Sequence, residues 1–70
     1  MAENRIKEQR KKQGFLQQEV AEKAGISVMS YQRYESGKRV PDAIHAILIA
    51  QALNSSVEEL FGSTQPERGL

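Results

Sequence analysis

The sequence predicts an all-α fold, a single compact domain built from five short helices. Three observations support this prediction. The chain has 70 residues, which suit one small domain. Most segments are rich in good helix formers, and no segment alternates apolar and polar residues for long enough to form a strand. Gly14, Gly25, Gly37 and Gly62 divide the chain into pieces of helix length.

The first two helices are predicted on either side of Gly14. Glu, Gln, Lys and Arg dominate residues 3–13, which predicts the first helix there. Gly14 stands where a helix-ending residue adopts a positive φ. The second helix is predicted over 17–24, and Gly25 ends it. Three of its apolar residues are expected to face the core: Val20, Ala21 and Ala24.

The third helix is predicted to begin after Ser27, a good N-cap residue, and to end at Gly37. On a helical wheel at about 100° per residue, Tyr31 and Tyr34 lie on the side that we expect to face the core. The opposite side carries five residues: Val28, Met29, Gln32, Arg33 and Ser36. The wheel therefore predicts a helix with one buried side and one outward side.

The fourth helix is predicted over 43–53, capped by Asp42 and ended by Asn54 in the left-handed conformation. Its core side is expected to contain Ala43, Ala46, Ile47, Ile49, Ala50 and Leu53. Three other residues of this helix are expected to be exposed: Ile44, His45 and Leu48. The wheel thus assigns one apolar stripe to the core and leaves two aliphatic residues outside it.

A short fifth helix is predicted from the spacing of Ser56 and Glu59, which is that of a capping box. Phe61 and Gly62 end this helix. Residues 62–70 are polar and contain a proline, so we expect a disordered tail.

The composition argues against several kinds of site. The chain has no cysteine and one histidine, His45, so we expect no disulfide, no metal site and no cofactor. No apolar run approaches the ~18 residues of a membrane span, and the N-terminus does not resemble a signal peptide, so we expect a cytoplasmic protein without membrane contact. Paired catalytic groups are lacking, and we expect no enzyme.

The charges are distributed unevenly. Residues 1–40 contain nine Lys and Arg against five Glu, a balance of +4, whereas residues 41–70 contain one Arg against four acidic residues, a balance of −3. Such asymmetry is typical of a protein that binds a polyanion on one side. Ordinary solvated helix faces explain it equally well.

Residues 17–36 have the features of a helix-turn-helix, in which a tight glycine turn joins two short helices. Ala21 is small where the two helices must cross closely. Gly25 supplies a turn conformation that a Cβ disfavours. Ile26 is apolar and can fix the angle between the helices. These residues occur in the required order, so the segment is the candidate functional unit.

The sequence from Arg5 to Phe61 resembles the phage-repressor-like (lambda-repressor-like, XRE-type) helix-turn-helix family of bacterial regulators. The matching segments are I-K-E-x-R at 6–10, Q-x-E-V-A-x-K-A-G-I-S at 17–27, R-Y-E-S-G-K-R-x-P at 33–41, I-A-x-A-L at 49–53 and S-V-E-E-L at 56–60. The resemblance implies a five-helix DNA-binding domain over 5–61, with the motif at 17–36 and the recognition helix at 28–36. It also implies a sequence-specific transcriptional regulator of double-stranded DNA, a repressor rather than an activator.

The recognition helix carries four residues expected to contact bases in the major groove: Val28, Met29, Gln32 and Arg33. Gln32 can pair with adenine and Arg33 with guanine, whereas the two apolar residues can contact a thymine methyl group. The resemblance implies phosphate contacts by three residues: Gln17 at the start of the second helix, and Lys38 and Arg39 in the loop after the third.

These assignments have alternatives. Arg33, Lys38 and Arg39 also suit an ordinary solvated surface, and Val28 and Met29 can pack against the second helix or a partner protein. The resemblance further implies a buried, structural ion pair between two charged residues: Arg10 and Glu35.

The chain departs from the family pattern at three places. Leu16 stands where the family usually has a Ser, Thr or Asn N-cap, a loss of ~1 kcal/mol. Gln9 replaces a common Leu and is expected to thin the core. Val28 and Met29 replace polar base readers, which leaves the DNA sequence that is bound open.

Ile44, Leu48 and Phe61 are predicted to form a face for a second chain, although isolated exposed apolar residues need no such explanation. A homodimer, formed at least on DNA, suits a palindromic operator with half-sites about 34–36 Å apart. A second function stays open: a protein-interaction module, such as the DNA-binding partner of a toxin or a coactivator of the same fold. That function predicts a stable protein complex and no operator selection.

Overall fold

The computed structural model describes residues 4–62, and within that range it contains five α-helices and no β-strand. The helices are α1 Ile6–Gln13, α2 Gln17–Ala24, α3 Val28–Ser36, α4 Ala43–Ala52 and α5 Val57–Phe61. The predicted all-α class with five helices is therefore confirmed. The disordered tail was predicted over 62–70, and residues 63–70 of it lie outside the described residues.

Positive-φ residues separate the helices, as their positions in the sequence predict. Gly14, Gly25 and Gly37 end α1, α2 and α3 with φ values of 78°, 74° and 81°. Asn54 follows α4 with φ 55°, a conformation that Asn tolerates better than most residues. Each of these residues turns the chain where a Cβ-bearing residue of another type would be strained.

Side-chain caps define where three of the helices begin. The Ser27 hydroxyl accepts a hydrogen bond from the Ser30 N–H at 3.1 Å, and the Asp42 carboxylate accepts one from the His45 N–H at 2.8 Å. At α5 the predicted capping box is half formed. The Ser56 hydroxyl accepts from the Glu59 N–H at 3.1 Å, but the Glu59 carboxylate instead accepts from the hydroxyl of another serine, Ser55.

The core forms where α2 packs against both α3 and α4, with α1 packed on α3 and α5 on α4. The predicted core positions of α2 and both tyrosines of α3 are buried. The buried core residues are Ile6, Val20, Ala21, Ala24, Tyr31, Tyr34, Ala46, Ile49, Ala50, Leu53 and Leu60. This arrangement holds α2 and α3 in one rigid unit, because each of them contributes side chains to the same cluster.

The prediction for the faces of α4 was partly wrong. Ala43 and Ile47 were assigned to the core but are exposed, and Leu48 was assigned to the surface but is half-buried and packs against the core. The reason is that α4 packs against both α2 and α5, whereas a helical wheel assumes one buried face. Ile44 is exposed as predicted, with 66% of its surface accessible.

The expectation that His45 is exposed was also wrong. His45 is half-buried, and its Nδ1 lies 2.7 Å from the Tyr34 hydroxyl. The two rings meet edge to face with centroids 5.7 Å apart. His45 thereby satisfies the hydroxyl of a buried tyrosine, which would otherwise lack a partner at a cost in stability.

Gln9 forms a hydrogen bond that the sequence does not predict. Its Nε2 donates to the Leu53 carbonyl at 3.1 Å, and so satisfies a carbonyl at the C-terminal end of α4. Nearby, the Arg5 N–H donates to the Leu60 carbonyl at 2.9 Å and ties the start of α1 to α5. The polar residue that was expected to thin the core therefore joins two helices.

Replacing Leu16 by serine is expected to stabilise the domain by about 1 kcal/mol. Leu16 is the N-cap of α2, has extended backbone angles and is 67% exposed, so little packing is lost. The Glu19 carboxylate already accepts from the Leu16 N–H at 2.7 Å, and a serine hydroxyl would add the other half of a capping box. Urea unfolding followed by circular dichroism measures the gain. Leu16→Ala is the control, and equal stability of the two variants would contradict the prediction.

Candidate nucleic-acid interface

The turn between α2 and α3 has the geometry that the sequence predicts. Gly25 adopts φ 74°, and the Ile26 N–H donates to the Ala21 carbonyl at 3.0 Å, which closes the end of α2. The Ile26 side chain is half-buried against the core. The chain then leaves the turn at Ser27 and enters α3 at a fixed angle to α2.

The two sides of α3 differ in burial. Tyr31 and Tyr34 are buried in the core and anchor the helix. Val28 and Met29 on the opposite side are 41% and 57% exposed. Three exposed polar residues share that outward side: Gln32, Arg33 and Ser36. The helix is thus held by one side and leaves the other exposed to solvent.

An ion pair joins α1 to α3. The Arg10 Nε lies 2.7 Å from Glu35 Oε2, and its Nη2 lies 3.3 Å from Glu35 Oε1. A third guanidinium nitrogen, Nη1, donates to the Phe15 carbonyl at 2.9 Å. The side chains are 13% and 5% exposed, so this pair is screened little by solvent. It fixes α3 relative to α1.

The ionisation of this cluster follows from its surroundings. Burial acts to raise the pKa of Glu35, but hydrogen bonds from Arg10, Gln17 and Tyr31 outweigh it and hold that pKa below its ordinary value. Burial, followed by the hydrogen bond to Glu35, raises the pKa of the Tyr31 phenol. At neutral pH Glu35 is therefore a carboxylate that only accepts hydrogen bonds, and Tyr31 is a neutral donor at 2.8 Å from it.

Two glutamines extend this cluster to the surface. The Gln17 Nε2 donates to Glu35 Oε1 at 2.7 Å. The Gln17 Oε1 in turn accepts from the Gln32 Nε2 at 3.1 Å. Gln17 was assigned to a phosphate contact, but its amide here bridges Glu35 and Gln32.

Five of the predicted contact residues line one open hollow beside α3. The lining residues are Gln17, Met29, Gln32, Arg33, Ser36 and Lys38. Val28 and Arg39 lie outside it. Ser36 was not among the predicted contacts, although its spacing of four residues from Gln32 places it on the same face of α3.

The charge around the hollow is positive. Arg33, Lys38 and Arg39 are exposed, and none of them forms an ion pair within residues 4–62. Glu35 is the one acidic residue between positions 28 and 40, and Arg10 pairs with it. An exposed cationic surface beside a row of polar side chains suits a polyanionic partner.

Other kinds of site find no support in the described part of the chain. Residues 4–62 contain no group of His, Cys, Asp and Glu able to hold a metal ion. Across the same stretch, no helix has the length and apolar character needed to cross a bilayer. The exposed side of α3 and its neighbouring loop, where five of the predicted contact residues meet, form the candidate site.

A short helix, a tight glycine turn and a second helix with one anchored side define a helix-turn-helix domain. The chain belongs to the helix-turn-helix family, because the family model of that description matches residues 6–60. The chain is also 41% identical over 58 residues to the cryptic phage CTXphi transcriptional repressor RstR of Vibrio cholerae serotype O1. The match covers 83% of this chain and 52% of RstR, so the chain spans about half the length of that relative. The predicted resemblance is confirmed.

Proposed function

We propose that this protein is a transcriptional repressor that binds specific sequences in double-stranded DNA and reads the major groove with α3. The observation that carries the proposal is the outward side of α3, which places Gln32 and Arg33 together on an anchored helix. Family membership and the similarity to a transcriptional repressor support it. The protein would act in the cytoplasm of a bacterial cell, where its DNA target lies.

The side chains on this surface suit distinct parts of a duplex. Gln32 has the donor and acceptor needed for adenine, and Arg33 has the two donors needed for guanine O6 and N7. Val28 and Met29 would contact thymine methyl groups. Phosphate contacts are proposed for the side chains of Lys38 and Arg39 in the loop after α3, and for the backbone N–H groups at the start of α2, at Gln17. These contacts fix the register of the protein on DNA without reading its sequence.

Selection of binding sites from a random pool of duplexes tests the proposal. We expect a palindrome with half-sites about 34–36 Å apart, and binding that weakens steeply with salt. A pool without enrichment contradicts sequence-specific binding. It favours the second candidate function, a protein-interaction module, which is supported by the exposed apolar pair Val28 and Met29 at the start of α3.

The partner on a palindrome is proposed to be a second copy of this chain. The face assigned from sequence is smaller than expected, because Leu48 and Phe61 are half-buried against the core and Ile44 alone of the three is exposed. Ile47, which is 48% exposed, lies three residues from Ile44 and shares its face of α4. No residue from Ala43 to Ala52 is acidic or basic apart from His45, so this face carries no charge that repels an identical copy.

The size of this face indicates when two copies would associate. A stable interface buries about 800 Å² on each partner, and two exposed isoleucines cover far less than that. Pairing is therefore expected on DNA, where both copies are held side by side, rather than in free solution.

Replacing Ile44 and Ile47 by lysine is expected to weaken binding to the palindrome about tenfold, because like charges then face each other across the pair. Binding to a single half-site should not change. Titrations of labelled duplexes carrying one or two half-sites measure both affinities. Val57→Lys, which adds a charge at an exposed valine of α5, is the control. Unchanged binding of the double variant to the palindrome would rule out this face.

A further inference from the structure

We infer that Gln17 is a positioning residue that fixes which edge of the Gln32 carboxamide faces DNA, and that this makes Gln32 select adenine over guanine. The inference rests on the proposed function and concerns the mechanism of specificity within it. Its starting point is the chain of hydrogen bonds that runs from Arg10 through Glu35 and Gln17 to Gln32.

The direction of each hydrogen bond follows from the chemistry of the groups. The Glu35 carboxylate accepts hydrogen bonds and has none to donate, so the amide that faces it must present its NH2 group. Gln17 therefore turns its Nε2 toward Glu35, which leaves its Oε1 to face Gln32. An oxygen in that position requires a donor, so Gln32 must turn its own Nε2 toward Gln17.

The consequence at the surface is a defined donor and acceptor. One of the two N–H groups of Gln32 is used by Gln17, which leaves one N–H and the Oε1 for a base. Adenine presents the N7 acceptor and the N6 donor, which match this pair. Guanine presents two acceptors, N7 and O6, and its O6 would face the Gln32 oxygen. The reversed amide would not distinguish the two bases in the same way.

The hydrogen-bond network is held firmly enough to maintain this orientation of the Gln32 amide. The Glu35 side chain is 5% exposed and is held by Arg10 at 2.7 Å and by the Tyr31 hydroxyl at 2.8 Å. Gln17 is half-buried, and Gln32 is exposed. An exposed glutamine without such support would sample both amide orientations and lose more side-chain entropy on contacting a base.

Base preference at one position tests the inference. The position is first located with Gln32→Ala, which should abolish discrimination between adenine and guanine there. Gln17→Ala is then expected to reduce the same preference about fivefold, and the double variant should be no worse than Gln32→Ala alone. Gln18→Ala is the matched control, because Gln18 is the exposed neighbour of Gln17 on α2. Equal weakening of all sequences by Gln17→Ala would overturn the inference, since it would indicate a phosphate contact.

A measurement without DNA separates this inference from the proposed function. The side-chain NH2 resonances of Gln32 in NMR spectra are expected to shift in Gln17→Ala and to stay in place in Gln18→Ala. Unchanged Gln32 resonances in Gln17→Ala would overturn the positioning role, whether or not the protein selects a DNA site. Failure of the unaltered protein to select any site would instead contradict the proposed function.

Discussion

Replacing Arg10 by alanine is expected to lower the free energy of unfolding by about 3 kcal/mol. The Glu35 side chain is 5% exposed, and without Arg10 no cation would balance its charge in this poorly solvated position. A domain of this size has a total stability of about 5 kcal/mol, so the variant would keep only about 2 kcal/mol of it. Urea unfolding followed by circular dichroism measures the change.

The matched control is Lys11→Ala, which removes an exposed cation one residue further along α1. Its effect should stay within about 0.5 kcal/mol, because exposed charges contribute little. Equal losses from Arg10→Ala and Lys11→Ala would contradict the structural role of the ion pair.

The same pair predicts how stability depends on pH. The pKa of Glu35 is lower in the folded protein than its ordinary value of about 4.3, which approximates the unfolded state. The carboxylate therefore stabilises the fold fully above pH of about 4.3, and this contribution is lost as the pH falls through the lowered pKa. The unfolding free energy of Glu35→Gln should fall less steeply in that acidic range than that of the unaltered protein.

Much of the fold can be predicted from the sequence because its signals are local. Gly14, Gly25 and Gly37 end helices at positive φ, and Ser27 and Asp42 cap the helices that follow them. Each of these features depends on a few neighbouring residues, whose conformational preferences act before any tertiary contact forms. The order of helices and the turn of the motif follow from them directly.

The errors arose where a residue's surroundings depend on distant parts of the chain. The burial of Leu48 depends on how α4 packs between two other helices, and a wheel drawn for one helix contains no such information. His45 is half-buried where it contacts Tyr34, eleven residues earlier, whose buried hydroxyl needs a hydrogen-bond partner. Both outcomes are set by tertiary packing, which outweighs the pattern within a single helix.

The candidate site, too, could be predicted from the sequence only where it depends on local features. The outward residues of α3 could be predicted, because one buried tyrosine pair fixes the rotation of that helix. The bridge from Glu35 through Gln17 to Gln32 could not, since it joins side chains that are 18 and 15 residues apart. For Gln17 the sequence therefore predicted only a phosphate contact, because the residue stands at the start of a helix. That role and the bridge make different predictions for Gln17→Ala.

Replacing Arg33 by alanine is expected to lower affinity for the selected operator by about 5- to 150-fold for each half-site and to remove the preference for guanine at one position of each half-site. Arg33 lines the hollow beside Gln32, and its guanidinium forms no ion pair among residues 4–62, so its donors are available to a base. Titrations with the selected duplex and with single-base variants of it measure the loss at each position.

Lys38→Ala is the control that separates base recognition from electrostatic attraction to the DNA backbone. Lys38 lines the same hollow as Arg33, but its proposed contact is a phosphate. It should weaken all duplexes alike and reduce the slope of log affinity against log salt by about one for each half-site. Arg33→Ala should change the base preference even at a salt concentration where total affinity is matched. A uniform loss from Arg33→Ala would show that Arg33 acts as a second phosphate anchor, and base reading by α3 would then depend on Gln32 and the two apolar residues that precede it.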